Sequence, residues 1–142
     1  MAISVPGVLV NIDVGDLDRA ERFYCDAFGL RPGRRFGGDI LELLDASSTI
    51  YLLAKPGGTA ATESGQRRSY ERHWTPIHLD FVVDNIDEAT SAVETAGATR
   101  ESDIHTHAWG RIAQFTDPWG HGFCLIEFQG RGYDEIADQD GA

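Results

Sequence analysis

The stretch "LVNIDVGDLDRAERFYCDAFG" (Leu9–Gly29), set above "HLDFVVDNIDEATSAVETAG" (His78–Gly97), shows one plan used twice: an apolar strand-like run, a break, and a helix ended by glycine. Leu17, Ala20, Tyr24 and Ala27 fall at i, i+3, i+7 and i+10, and Ile86, Ala89, Val93 and Ala96 repeat that spacing, so each helix has one apolar face to lay on a sheet. Asp16 can cap the first helix, Asn85 with Glu88 three residues on reads as a capping box, and Gly29 and Gly97 supply left-handed stops. Three strand-like runs follow each helix: Arg31–Phe36, Asp39–Leu44 and Thr49–Ala54 in the first half, Thr99–His105, Arg111–Thr116 and Gly122–Gln129 in the second. The second half turns at "DPWG" (Asp117–Gly120), where Pro118 and Gly120 suit a tight turn, and Asp45 takes the matching place in the first half. Each half therefore reads βαβββ. The expected fold is α+β: two βαβββ modules, 7–55 and 76–129, related by a pseudo-twofold axis, with mixed sheets curled around a cavity and helices outside.

Outside the modules the sequence is polar. "PGGTAATESGQRRSYERHWTP" (Pro56–Pro76) has no period, so residues 56–75 read as a connecting loop, one expected to order over a ligand or a neighbouring subunit. Residues 130–142 form an acidic tail. A chain of 142 residues with 42% hydrophobic content suffices for one domain spanning 1–142. Its 23 acidic against 12 basic residues give a formal charge of −11, which repels nucleic-acid phosphate and anionic lipid. The N-terminus has no basic region and Asp13 interrupts its apolar run, so neither a signal peptide nor a membrane span is expected, and a cytoplasmic location follows. Cys25 and Cys124, without CxxC spacing, read as two buried thiols. Seven of the twelve basic residues (Arg31, Arg34, Arg35, Lys55, Arg67, Arg68, Arg72) lie in the middle of the chain. Solvated loop charges are the plainer reading of that zone, and a clamp for an anionic small molecule the sharper one.

With "VGDLDRAERFYCDAFGL" opening one half and "DPWGHGFCLIEF" closing the other, the chain resembles the vicinal oxygen chelate superfamily, which includes glyoxalase I, bleomycin-resistance proteins, fosfomycin-resistance enzymes and extradiol dioxygenases. The resemblance runs from about Gly7 to Phe128 and implies a homodimer. It also implies four metal-ligand positions, usually His or Glu, which fall here on Leu9, Tyr51, His78 and Cys124. Leu9 has no donor and a phenol is a poor one, so the count leaves one or two ligands where a catalytic metal needs three. Glu127 looks like the missing carboxylate, but three residues beyond Cys124 on an alternating strand it should point the other way. Asp80, His105, His107 and His121 could assemble a relocated site. Each has a plainer role: Asp80 hydrogen-bonding across the sheet, His105 and His107 at an exposed strand end, His121 in a turn. No metal or other cofactor is therefore expected, and purified protein should carry far less than one equivalent of metal.

An apolar side chain, a phenol, an imidazole and a thiol at the former ligand positions suit an organic ligand better than an ion. His78 is an imidazole at a strand mouth, able to donate, accept or carry a proton. Asn11 alternates onto the same face as Leu9, and Asp80 onto that of His78. Phe36, Trp109 and Trp119 can add flat walls. The expected function is metal-independent binding of an aromatic or conjugated small molecule through Leu9, Asn11, Phe36, Trp109 and Cys124. The alternative is a glyoxalase-like lyase or isomerase in which His78, Tyr51 and Asp80 are the catalytic groups, or in which a relocated metal acts.

Overall fold

The computed structural model describes residues 2–138; the last four residues of the acidic tail, 139–142, lie outside them. The chain divides into two units, Met1–Tyr70 and Glu71–Ala142, so the boundary falls inside the connecting loop. Both units are α+β, each a mixed sheet with one helix, as the repeat implies.

The first unit runs β1 (Val10–Val14), α1 (Leu17–Phe28), β2 (Arg31–Phe36), β3 (Ile40–Leu44) and β4 (Ile50–Ala54), with sheet order β1-β4-β3-β2. β1 lies parallel to β4 and the other pairs are antiparallel. Asp16 Oδ1 accepts from Arg19 N at 3.0 Å to start α1, and Gly29, at φ 65°, ends it. Leu17, Ala20, Tyr24 and Ala27 are buried as their spacing requires, joined by Phe23. They pack toward Leu41, Leu43, Ile50 and Leu52, which form the rest of this unit's core. The register of β2 on β3 shifts between Pro32 and Arg35, a bulge that turns the Arg34 N–H toward Glu42. Residues 56–70 hold themselves in place: Ala60 bridges Arg67, Arg68 N donates to Thr59 O at 2.9 Å, and the Tyr70 hydroxyl donates to Lys55 O at 2.6 Å.

The second unit runs β5 (Leu79–Val82), α2 (Ile86–Ala96), β6 (Thr99–Arg100), β7 (His105–His107), β8 (Gly110–Thr116) and β9 (Gly122–Phe128), followed by a short 3-10 helix over Gly132–Glu135. Its order is β5-β9-β8-β6 with β7 also on β8, and β5 is parallel to β9. Asn85 Oδ1 accepts from the N–H groups of Asp87 and Glu88, and Ile86 and Val93 are buried. Thr90 joins them in place of Ala89 and Ala96, which are half-buried. The run expected as one strand over Thr99–His105 is two. Ser102 Oγ accepts from Gln114 N at 2.9 Å, so a side chain takes the ladder position and the strand breaks there. Asp117 Oδ1 accepts from Trp119 N and His121 N to set the turn, and Trp119, 5% exposed, is core. Among the described residues no helix is long and apolar enough to cross a membrane.

Candidate functional site

On the second unit, β5 and β9 bring three chemistry-bearing side chains together. His78 enters β5 and Asp80 lies two residues on, so both project from one face. Asp80 pairs in register with Cys124 across the parallel β5–β9 ladder. The result is His78 Nε2 at 3.1 Å from Asp80 Oδ1, with the donor atoms of His78, Asp80 and Cys124 all within 4.8 Å of one another. His78 and Asp80 keep about a third of their side chains in solvent, at 31% and 39%, while Cys124 is buried. Burial first, then the Asp80 carboxylate, pushes the Cys124 thiol up to about 11, so it sits as a thiol donating toward Asp80 and not as a nucleophile. The Trp74 ring lies 5.6 Å from that of His78 and is 62% exposed.

Beside this group runs a second polar network. Arg72 donates to Glu101 through Nε (2.7 Å) and Nη2 (2.9 Å), and Glu101 also accepts from Thr116 Oγ1 and Gln114 Nε2. Hydrogen bonding to Arg72 holds the Glu101 carboxyl below its usual range. The guanidinium lies over Gly122: a Cβ there would meet Arg72 Nη2 at 2.6 Å. Gln114 is the register partner of Cys124, which places the network on the strand next to the thiol.

The first unit carries a different arrangement at the matching positions. Leu9 precedes β1 and is 61% exposed, and Asn11 pairs in register with Tyr51. The Tyr51 hydroxyl donates to Glu42 Oε2 at 3.2 Å, and Glu42, 6% exposed, also binds Arg34 through Nη2 at 2.7 Å and Nε at 3.1 Å. These hydrogen bonds, led by the Arg34 side chain, hold the Glu42 carboxyl down to about 2. Phe36 lies 6.4 Å from the Tyr51 ring and under the Arg34 guanidinium, 5.2 Å from its centroid.

The sequence-derived candidates sort accordingly. His78, Asp80 and Cys124 are brought together, and Asn11, Tyr51 and Phe36 are neighbours on the first unit. Trp109 is elsewhere: it stacks on His107 at 5.2 Å and packs against Tyr133 and Phe128. Its neighbour Gly110 pairs with Phe128, four residues and roughly 13 Å of strand from Cys124. Among the described residues His105, His107 and His121 do not join the His78 group. Glu127 faces away from Cys124 as alternation requires, accepting from Arg111 Nε at 2.9 Å and from Ile86 N. Five of the seven basic residues in the middle of the chain are ion-paired within the fold. Arg31 pairs with Asp45, Arg34 with Glu42, Arg35 with Asp18 and Glu21, Arg68 with Asp13 and Arg72 with Glu101, while Arg67 donates to Gly58 O. Glu42, Glu101 and Trp74 were not singled out by the sequence; the only signal for Glu42 was a carboxylate at the centre of an apolar strand.

The metal site that the resemblance implies does not fit these residues. Leu9 offers no donor atom, and Tyr51 spends its hydroxyl on a carboxylate already neutralised by arginine. Comparison with known proteins agrees with the architecture. Residues 9–126 match the family model described as "Glyoxalase-like domain". None of the curated proteins compared matches. Among solved structures, a glyoxalase/bleomycin resistance protein/dioxygenase family enzyme from Burkholderia phytofirmans PsJN superposes with TM-score 0.66 at 20% identity, covering 85% of this chain and 97% of that one. The genomically encoded fosfomycin resistance protein FosX from Listeria monocytogenes gives 0.67 at 19% identity, covering 96% and 100%. TnmS3, an antibiotic binding protein from Streptomyces sp. CB03234, gives 0.63 at 22% identity, covering 91% and 99%. At these identities the structures speak for the fold, and the family model, spanning most of the sequence, speaks for descent: the chain belongs to the glyoxalase-like domain family.

Proposed function

We propose that the protein binds a small organic molecule with a flat conjugated ring, on the face of the second unit that carries His78, and that it does so without an ion at the four family positions. The observation that carries this reading is the exposed Trp74 indole set 5.6 Å from an imidazole that Asp80 orients at 3.1 Å. Such a pair offers an apolar plane for stacking beside a hydrogen-bonding group of fixed direction, the combination small-molecule sites use for affinity and orientation. Since Arg31, Arg34, Arg35, Arg68 and Arg72 are paired with carboxylates, the preferred ligand is neutral. FosX, a fosfomycin resistance protein, and TnmS3, an antibiotic binding protein, share the fold, which supports a small-molecule role for this chain. On the first unit Tyr51 and Phe36 are proposed for the same class of contact.

A second reading is favoured by the His78–Asp80 pair itself, since a carboxylate-oriented imidazole is the usual make-up of a general base. On that reading the protein is a metal-free lyase or isomerase and His78 carries a proton. The test is titration of the chelator-treated protein with naphthol, a neutral conjugated probe, followed by tryptophan quenching. Saturable one-to-one binding that Trp74→Phe silences optically supports the binding site. Binding unaffected in signal by Trp74→Phe and in affinity by His78→Ala contradicts it. If His78→Ala binds normally and only turnover of a bound compound stops, the enzyme reading replaces the binder.

A further inference from the structure

We infer that Arg72 is a positioning residue for the ring-binding site: its ion pair with Glu101 fastens segment 71–78 to the sheet of the second unit and so sets the Trp74 indole beside His78. The inference rests on the proposed function and deepens it. An indole that is 62% exposed is not fixed by its own packing, so its place has to come from the backbone that carries it. Every residue of 71–78 is exposed except Arg72, which is half-buried. The side chain two residues before Trp74 is therefore where this stretch meets the sheet.

Arg72 ties in two directions. Its Nε and Nη2 donate to the two carboxylate oxygens of Glu101 at 2.7 and 2.9 Å, a fork that fixes direction as well as distance. Its Nη1 donates to His73 O at 2.5 Å, which folds the chain over the guanidinium immediately before Trp74. Glu101 is itself held by β8: its N–H donates to Gln114 O at 2.8 Å, and its carboxylate accepts from Gln114 Nε2 at 3.1 Å and Thr116 Oγ1 at 2.8 Å. Gly122 leaves the space that the guanidinium fills, since a Cβ there would meet Nη2 at 2.6 Å and Cζ at 2.9 Å. Thr116 and Gln114 are the register partners of Gly122 and Cys124, so the anchor and the His78–Asp80 pair stand on one face. After Trp74, Thr75 Oγ1 donates to Ile77 O at 2.9 Å and the ring of Pro76 fixes φ, so the chain is stiffened on both sides of the indole. A flat ligand then meets an indole ordered on folding and not on binding.

The test is fluorine NMR of the full chain labelled with fluorotryptophan, in which the resonance missing from Trp74→Phe is that of Trp74. Arg72→Met keeps the alkyl stem and removes the guanidinium. In this variant, free of ligand, the Trp74 resonance should move and sharpen, while those of Trp109 and Trp119 and the circular dichroism spectrum stay as in wild type. Naphthol binding should weaken roughly fivefold or more as the indole loses its preset place. Loss of a merely structural ion pair would lower the melting temperature without singling out Trp74, and that outcome overturns the proposal. So does a Trp74 resonance that moves while naphthol affinity keeps its wild-type value. Should Arg72→Met fail to fold, Gly122→Ala decides: its methyl displaces the flexible end of Arg72 while both charged groups remain. The same shift of the Trp74 resonance is expected there, and an unmoved resonance overturns the proposal. Wild type that binds no naphthol counts against the ring-binding reading alone, since the ligand-free spectra still show whether Arg72 sets the indole.

Discussion

At the scale of single residues the structure turns on carboxylates held by arginine. Glu42 lies in an apolar strand, yet with Arg34 giving it two side-chain hydrogen bonds and its own N–H, and Tyr51 a further one, it stays ionised in a nearly dry position. Its pKa drops from 4.5 in the unfolded chain to about 2 in the fold. A depressed carboxyl stabilises the fold fully above about 4.5 and loses that contribution as the pH falls toward about 2. Glu42→Gln should therefore flatten the decline in stability between those values, read as urea midpoints across pH; an unchanged acid limb would show that Glu42 does not carry it. Little of this pairing was legible in advance. His78 with Asp80 could be read from a two-residue spacing on one strand. Arg34 with Glu42 depends on a bulge between Pro32 and Arg35, and Arg72 with Glu101 joins residues 29 apart along the chain.

At the scale of elements, two positions make sharp demands. Gly110 opens β8 at φ 152°, and a Cβ there would meet the backbone oxygen of Glu127 at 2.2 Å. Backbone cannot swing aside as a side chain can, so Gly110→Ala should cost about 3 kcal/mol or more, or prevent folding. A loss under about 1 kcal/mol would mean that β8 and β9 yield there. Thr90 is buried in α2 with a hydroxyl that finds no hydrogen-bond partner. Thr90→Val keeps the shape and removes the unpaired group, so thermal unfolding should show a gain of up to about 1 kcal/mol; destabilisation would mean that the hydroxyl has a role in α2. The helices were legible because amphipathic spacing and caps are local, and Leu17, Ala20, Tyr24, Ala27, Ile86 and Val93 are all buried as their spacing requires. The break between β6 and β7 was not, because the Ser102 hydroxyl competes for a ladder position that only exists once β8 is alongside.

At the scale of the molecule, a formal charge of −11 goes with apolar side chains left on the surface. Ile3, Val5, Val8 and Ile77 are all largely exposed, and this supports the proposal of a homodimer. Sedimentation at tens of micromolar should give twice the chain mass, and a monomer there would contradict it. The central claim is that His78 holds an organic ligand directly. The most direct measurement compares naphthol affinity in wild type and His78→Ala, both chelator-treated, with circular dichroism confirming the fold of each. Loss of a hydrogen-bonding partner in a partly buried site should weaken binding by about 1–3 kcal/mol, roughly five- to 150-fold in dissociation constant. Equal affinity in two folded proteins would contradict the claim.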